Sequence, residues 1–527
     1  MDWLLLAIVA AQPPNPGQLL APDSGRAVRR ARSAQEWFES ERRRRLPVIP
    51  TGGGRCEERI GRFCYWYDER DTSLPAEPET VVSARARLNL SLAEAHAERP
   101  GSNWILGQRV RYLAEHQRPV EGLAVAAQCK ATPWWCSALA GLALHLAARF
   151  PSADSAFDRA LAEMPAEVRC AWTDWTVVFD NPVAKQLAGQ DCEGRRRLAD
   201  SLVFLAKPLL SEPGNDLRTE LLSRRTMAAL LTHARSPHFI PWGKDLEELM
   251  LRYGWSTRWS VNDRPPSLAE SPGVTGHQRS PAYQFFPTQR PGQPWRWNLS
   301  PERARFRYAP SYADRFVLTD EAQVARFPRG DTTLVVAGSV PGPDTGTALT
   351  VIGASGQPVV IRADSVTPLG GLVARLAGRP VMASVETRTH QGRQVAATRL
   401  VFESDSTPGS LILSDPLFFA VADDLPESLE AAVARALPVS RFSKRTPVGI
   451  YWEATGPVRD SLAVAVAIIP AGRGPRGRPT MSLQWRASGG AFELDLRRQK
   501  PGQYLLRLEA RAAGTAAASQ RAFVLLP

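Results

Sequence analysis

Residues 107–165 read GQRVRYLAEHQRPVEGLAVAAQCKATPWWCSALAGLALHLAARFPSADSAFDRALAEMP, and this stretch decides how the amino-terminal part of the chain folds. Gly107 and Gly141 are 34 positions apart, and the residues after each keep one register. Leu123 aligns with Phe157, Ala126 with Ala160, Ala127 with Leu161 and Ala131 with Pro165. Glycine and alanine at recurring sites let two helices approach closely, an aromatic ring fills the gap beside them, and proline ends the second helix. The second copy holds the fuller set, with Gly141, Ala153, Phe157, Ala160 and Pro165 in the small, small, aromatic, small and helix-ending places. Two helical hairpins are predicted.

This period and order of sites resemble the tetratricopeptide repeat. The resemblance covers residues 100 to 167 and implies a surface that holds a protein partner. A packed helical subdomain is the alternative, because about three repeats are needed for a free-standing solenoid. Apolar residues recurring at three and four predict further helices over Val81 to His96 and Arg195 to Leu231, bracketing the repeats. Trp134, Trp135, Trp172 and Trp175 are expected to fill grooves between helices.

The chain has 527 residues, 44% hydrophobic and 22% charged, enough for several globular domains. A net charge of +12 would permit a nucleic-acid partner. The basic residues are nearly all arginine and are scattered among acids over every segment, which argues against a nucleic-acid face. Their densest run, Arg42 to Arg45, closes an amphipathic helix expected from about Ala34 to Leu46, where cations suit the carboxyl-terminal end of the helix dipole.

The six cysteines fall into local pairs, Cys56 with Cys64, Cys129 with Cys136 and Cys170 with Cys192. None has the spacing of a zinc knuckle, so disulfides are expected, with buried thiols as the alternative. Trp3 to Ala11 is an apolar stretch ending in small residues, as at a signal-peptidase site, and is too short to span a bilayer. Export to the periplasm or beyond is expected, with no transmembrane span in the mature chain.

Residues 216 to 256 run as a polar helix, Asp216 to Ala234, then Phe239-Ile240-Pro241-Trp242-Gly243-Lys244-Asp245, then Leu246 to Arg252 and Tyr253-Gly254. This order resembles the GWxTD domain of bacterial envelope proteins, with Trp242-Gly243 in place of that family's Gly-Trp. The resemblance implies an envelope context and no established reaction. On physical grounds Trp242 and Tyr253 should anchor a small core, Asp245 should cap the segment after it, Arg252 closes the motif, and Gly254 should turn the chain.

Between 260 and 312 nine prolines oppose regular structure, while Tyr283, Phe285, Phe286, Trp295, Trp297, Phe306 and Tyr308 are too apolar for a free linker. An ordered strap is expected. Beyond Phe316 the period becomes two. Runs at 333–340, 348–353, 359–363, 381–387 and 395–402 predict one set of strands. A helix at 428–436 and runs at 448–455, 461–469, 480–487, 492–496, 503–511 and 518–526 predict another. Pro501-Gly502-Gln503-Tyr504 before the penultimate run resembles the tyrosine corner of immunoglobulin-like sandwiches.

The predicted fold is therefore α+β and multidomain. A leader occupies 1–16, a helix and Cys-containing loop 17–80, a tetratricopeptide-like domain 81–215, a GWxTD-like segment 216–259, the strap 260–312, and two Ig-like antiparallel β-sandwiches 313–408 and 409–527. The chain has no His-Glu-x-x-His, nucleophile elbow or phosphate-binding Gly-Lys-Ser/Thr loop. No catalytic residue, metal ligand or cofactor is expected. Two function classes follow: an exported, non-catalytic scaffold that binds a protein partner through its helical repeats, or a cryptic glycan-binding protein or hydrolase using aromatic residues 280–308.

Overall fold

The computed structural model describes residues 25–49, 58–65, 76–262, 274–288, 295–300, 304–319, 321–338, 345–354, 356–363, 370–389, 393–402, 411–456, 462–473, 477–512 and 515–527. The leader at 1–16, Cys56 and the side chain of Cys64 lie outside the described residues. The chain forms an amino-terminal helical region followed by a carboxyl-terminal region rich in antiparallel sheet. It divides into two compact units. One holds residues up to Pro208, Glu212–Pro287 and Asn298–Ser311, and the other holds Leu209–Ser211, Thr288–Trp297 and Tyr312–Pro527.

The first unit opens with α1 (Arg26–Arg45) and α2 (Glu79–Glu98). α1 begins well before the expected Ala34 because its buried stripe runs through Ala27, Val28, Ala31 and Phe38, with Gln35, Glu39 and Arg42 on the same face. Polar residues on a core-facing stripe conceal it from a hydrophobicity reading. They persist there because they are paired with α3 (Asn103–Glu115). Glu39 Oε1 accepts from the Tyr112 hydroxyl at 2.6 Å, and Arg42 Nη1 donates to Glu115 Oε2 at 2.9 Å. Burial alone would raise the Glu115 carboxyl, but Arg42 and Arg111 beside it hold it at about 2.

α4 (Pro119–Ala127), α5 (Pro133–Leu146) and α6 (Phe150–Glu163) each carry proline in the first turn, where its missing N–H costs nothing. α3 with α4 and α5 with α6 are the two hairpins. Gly141 on α5 faces α6 so closely that an added Cβ would lie 2.8 Å from the Phe157 ring, and Ala160 is 1% exposed. Leu123 packs against the small cluster of Leu144, Ala153 and Ala156, Ala126 is buried, and Pro165 precedes α7 (Ala166–Trp172). Trp134, Trp135 and Trp172 form a buried edge-to-face trio at 5.5 to 6.4 Å. Cys129 bonds Cys136 across the α4–α5 loop. Cys170 on α7 bonds Cys192 at the start of α9 (Cys192–Leu205), with α8 (Asn181–Ala188) between them. Both disulfides have Cα atoms 5.7 Å apart.

α10 (Asp216–Thr232) is the axis of this unit. Asn215 caps it, accepting from the Arg218 N–H at 3.0 Å. It is buried along most of its surface, polar residues included, apart from a half-buried stripe of Arg218, Arg225, Ala229 and Thr232, and packs against α3, α5 and α6. Gly107 admits it: a Cβ there would lie 2.6 Å from a Leu230 methyl. Gln108 Nε2 donates to the Leu230 carbonyl at 2.7 Å, and Trp104 Nε1 to that of His233 at 2.9 Å. The face that α3, α5 and α6 turn toward α10 is thus covered by the chain itself.

α11 (Lys244–Tyr253) corrects one expectation: its N-cap is Gly243, not Asp245. Asp245 sits in the first turn, where its carboxylate accepts from Arg62 Nε at 2.6 Å and Nη2 at 2.7 Å, as well as from the Leu246 N–H at 2.9 Å. That hydrogen bonding to Arg62 holds the carboxyl at about 2. It clamps the hairpin of strands Glu58–Ile60 and Phe63–Tyr65 to α11. Ile60, Phe63, Leu246, Leu249 and Tyr253 make a small core with Trp242 against it, and Gly254 ends the helix at φ +85°.

The segment 260–312 also departs from expectation. It contributes strands, since Val274–His277 pairs with Arg258–Asn262, which in turn pairs with Val48–Ile49. The prolines flank these strands and leave their ladders intact.

In the second unit, Thr345–Gly353 is flanked in one sheet by Pro358–Ala363 and Pro380–Thr389, which continues to Gln394–Val401 and Arg315–Leu318. Gly371–Ala377, Thr332–Gly338 and Val324–Arg329 form another sheet, and side chains of both share one core around Val335, Leu349, Val351 and Ala374. Val448–Thr455 pairs with Ile412–Leu413, Leu417–Ala420 and Gly489–Leu494. Its Ile450 and Trp452 share a core with Leu506 and Leu508 of Gly502–Ala512, which lies between Ala463–Pro470 and Thr515–Leu526. Along Gly502–Ala512, residues 504, 506, 508 and 510 are buried in alternation. The Tyr504 hydroxyl donates to the Lys500 carbonyl at 2.6 Å. A further cluster joins Phe327 and Val336 to Phe419, Tyr451 and α12 (Leu429–Val433), so the two predicted sandwich regions meet in a common core.

Candidate functional site: a cleft in the helical unit

Within the first unit a cleft of about 630 Å³ opens beside the end of α5, the middle of α10 and the end of α11, with Val274–His277 and residues 307–311 on its other side. His145, at the last turn of α5, is held from both ring nitrogens. Nδ1 lies 2.9 Å from the Thr219 hydroxyl and Nε2 lies 2.7 Å from Glu220 Oε2. The other oxygen of Glu220 accepts from Arg224 Nε at 2.7 Å, one helical turn along α10. Burial would raise the Glu220 carboxyl, but the Arg224 charge and the His145 hydrogen bond hold it at about 2.

Arg224 is consumed as fully. Nη1 donates to the carbonyls of Leu251 and Arg252 at 3.0 and 2.9 Å, and Nη2 to that of Arg307 at 2.6 Å. It satisfies the last carbonyls of α11, where a cation also suits the helix dipole. Tyr308 pairs through its backbone with Tyr283, and its hydroxyl donates to Asp216 Oδ2 at 3.1 Å. Burial first, then Asp216, pushes that phenol well above its ordinary range.

The opposite side is aromatic. Tyr65 and Tyr253 stack with centroids 3.7 Å apart, and the Arg307 guanidinium lies 5.0 and 5.2 Å from their ring centres. The Tyr253 hydroxyl donates to Glu58 Oε2 at 2.7 Å. Trp255 follows Gly254 into the cleft, half-buried. His238 is enclosed edge-on by Phe63 and Trp259, and burial lowers its imidazole to about 4, so it is neutral at pH 7. His277 Nε2 lies 2.7 Å from Ser260 Oγ. Ser260 is 1% exposed and does not line the cleft, so this Ser–His contact offers no nucleophile to a ligand.

Of the residues singled out from sequence, Tyr253, Gly254 and Tyr308 line the cleft. Trp242 and Asp245 serve the adjoining α11 core, Arg252 bonds Glu58 at 2.6 Å behind the tyrosine pair, and the repeat positions pack helices. His145, Glu220, Arg224, Trp255, Arg279 and Arg307 were not anticipated. The i,i+4 spacing of Glu220 and Arg224 was a readable signal, but His145 lies 75 positions from Glu220 and no local pattern joins them. Among the described residues no group of three or more His, Cys, Asp or Glu could hold a metal ion, and no helix is long and apolar enough to cross a membrane.

No protein-family model matches the sequence, and no curated protein matches it. Among solved structures it is similar to a two fibronectin type-III domain segment from chicken tenascin, at 12% identity and a TM-score of 0.13, over 39% of this chain and 99% of that one.

Proposed function

We propose that this is an exported, non-catalytic binding protein of the bacterial envelope, and that its ligand sits in the cleft of the helical unit. The observation that carries the reading is that the acid–base groups at the cleft's base are each held by neighbours: His145 by Thr219 and Glu220, Glu220 by His145 and Arg224, and the Tyr308 hydroxyl by Asp216. A general base needs a lone pair within reach of the proton it takes, and a general acid needs a proton to release. This lining supplies shape, aromatic faces and fixed polarity instead.

Export is supported by the Cys129–Cys136 and Cys170–Cys192 bonds, which suit an oxidising compartment. The α3–α6 hairpins are read as tetratricopeptide-like units that have taken α10 as their own internal occupant, which moves ligand binding from the repeat face to the cleft. The GWxTD-like segment is read as the brace that presents Tyr253, Gly254 and Trp255. The sheet-rich unit is read as Ig-like sandwiches acting as spacer or docking domains.

Titration calorimetry against purified envelope saccharides and peptides tests the reading, with Ala309→Trp as a cleft-filling control. Ala309 lines the cleft and belongs to none of the networks above. Saturable binding that is lost in that variant, with every ligand recovered chemically unchanged, is the expected result. Turnover of a bound ligand would contradict it.

A further inference from the structure

We infer that the outward face of α1, with the part of α2 beside it, docks onto an anionic phospholipid bilayer. None of the residues concerned lines the cleft, so the inference stands or falls apart from it.

The placement of the arginines argues first. Arg26, Arg29, Arg30 and Arg32 occupy the first two turns of α1, which has no acidic residue in its first turn and no side-chain cap. Cations at the amino-terminal end oppose the helix dipole, so these four do not serve the helix that carries them. Arg43, Arg44 and Arg45 stand at the opposite, favoured end. All seven are exposed, and Arg42 is the one arginine of α1 turned inward. Arg30 meets Glu98, Arg44 and Arg45 share Glu41, and Arg43 lies over the Phe239 ring. Arg26, Arg29 and Arg32 have no ion pair among the described residues, which leaves three charges without a structural use.

The carboxylates of α1 and α2 that reach solvent are Glu36, Glu41, Glu79, Glu94 and Glu98, against eight exposed arginines once Arg87 of α2 is included. Ahead of α1 the sequence holds Asp2 and Asp23 as its only acids. Residues 66–75, before α2, carry Asp68, Glu69 and Asp71 with Arg70 and lie outside the described residues, so position and not a summed field singles out this face.

Apolar side chains argue for lipid as the bearer of the negative charge. Trp37 is 46% exposed, with the Arg87 guanidinium 5.3 Å from its ring centre, and Leu90, one turn from Arg87 on α2, is 66% exposed. Arg26, Ser33, Trp37 and Arg44 follow one line along α1, because intervals of 7, 11 and 18 residues return a helix to about the same side. An arginine at each end and an indole between them, flanked by the small Ser33 and Ser40, can rest on one plane. Headgroup phosphates receive the arginines, the indole sits at headgroup level, and the leucine reaches the acyl boundary. A nucleic-acid backbone would use the arginines and leave Leu90 unused.

Cosedimentation of the full chain with vesicles of phosphatidylcholine alone, and of phosphatidylcholine containing phosphatidylglycerol, tests the inference. Wild type is compared with the triple variant Arg26→Gln, Arg29→Gln, Arg32→Gln and with the double variant Trp37→Ser, Leu90→Ser. A control, Arg375→Gln, Arg486→Gln, Arg498→Gln, removes the same charge from exposed positions of the sheet-rich unit. The apolar stretch Trp3 to Ala11 is common to all, and thermal unfolding checks each fold. Expected are saturable binding to the anionic vesicles, binding to the neutral ones weaker by at least about tenfold, and weakening as salt is raised. The first triple should lose about tenfold to a hundredfold, the double variant less, and the control nothing. Equal binding to the two vesicles, no saturable binding to the anionic ones, undiminished binding by the folded first triple, or an equal loss in the control would each overturn the inference. So would displacement from the vesicles by a stoichiometric amount of polyuridylate or polyglutamate, which would make the partner a nucleic acid or an acidic protein.

Discussion

His145 Nε2 lies 2.7 Å from Glu220 Oε2, and this contact joins the α5–α6 hairpin to the central helix α10 at the base of the cleft. Because Glu220 also holds Arg224, whose guanidinium closes the end of α11, three helices depend on one carboxylate. Glu220→Gln should leave Arg224 buried without its counter-charge and cost about 3–5 kcal/mol. His145→Ala removes one of the two partners of Glu220 and leaves Arg224 in place, and a smaller loss of about 1–3 kcal/mol is expected. Urea unfolding midpoints check both values, and equal losses would contradict the assigned hierarchy.

Acid should unfold the helical unit in two windows. The His238 imidazole is lowered from 6.5 to about 4, so the unfolded chain binds its proton first, and stability falls as pH drops from 6.5 toward 4. The Glu220 carboxyl is lowered from 4.5 to about 2, so its contribution is complete above 4.5 and is lost as pH falls toward 2, on the order of 3 kcal/mol in all. His238→Gln should flatten the first limb of a stability-against-pH curve and leave the second. A curve unchanged by that substitution would show that His238 is not buried neutral.

Gly141→Ala tests the hairpin packing. Alanine favours a helix by up to about 1 kcal/mol, yet the new Cβ would meet three atoms of the Phe157 ring at 2.8 Å, and overpacking of this kind costs about 1–3 kcal/mol. A net loss is expected, relieved when Phe157→Leu is added. Additive effects in the double-mutant cycle would argue against the contact. Ala160→Leu, on the facing side of the same hairpin, should lose about as much.

The Cys170–Cys192 bond closes a separation of 22 residues around α8. Replacing both cysteines by serine should lower stability by about 3 kcal/mol on loop-closure grounds, and the shorter Cys129–Cys136 loop, with a separation of 7, should matter less. Non-reducing peptide mapping of protein from its native compartment checks that the bonds form. Four free thiols at these positions would contradict both the bonds and the export reading.

Periodicity made much of the fold legible, and chemistry made little of the site legible. The 34-residue interval placed Gly107 and Gly141 on α3 and α5, and the two-residue period placed most strands of the second unit within a few residues. What escaped had a physical reason in each case. The first half of α1 buries Gln35, Glu39 and Arg42, which read as solvent-facing until their partners on α3 are in place. Gly371–Ala377 is a regular alternating strand in which a single valine stands among glycine, alanine, leucine and arginine, residues of modest β preference that give little signal. Val274–His277 is a four-residue ladder in a proline-rich stretch. The cleft draws on α5, α10, α11 and residues 307–311, which are distant in sequence, so its residues carry no common spacing.

Hydrogen exchange with and without the saccharide or peptide found by titration tests the central claim most directly. The account predicts protection confined to the backbone at 274–282 and 307–311 and at the end of α11, with the outer faces of α4 and α6 unchanged. Protection that follows α4 and α6 and leaves 274–282 exchanging as before would contradict it.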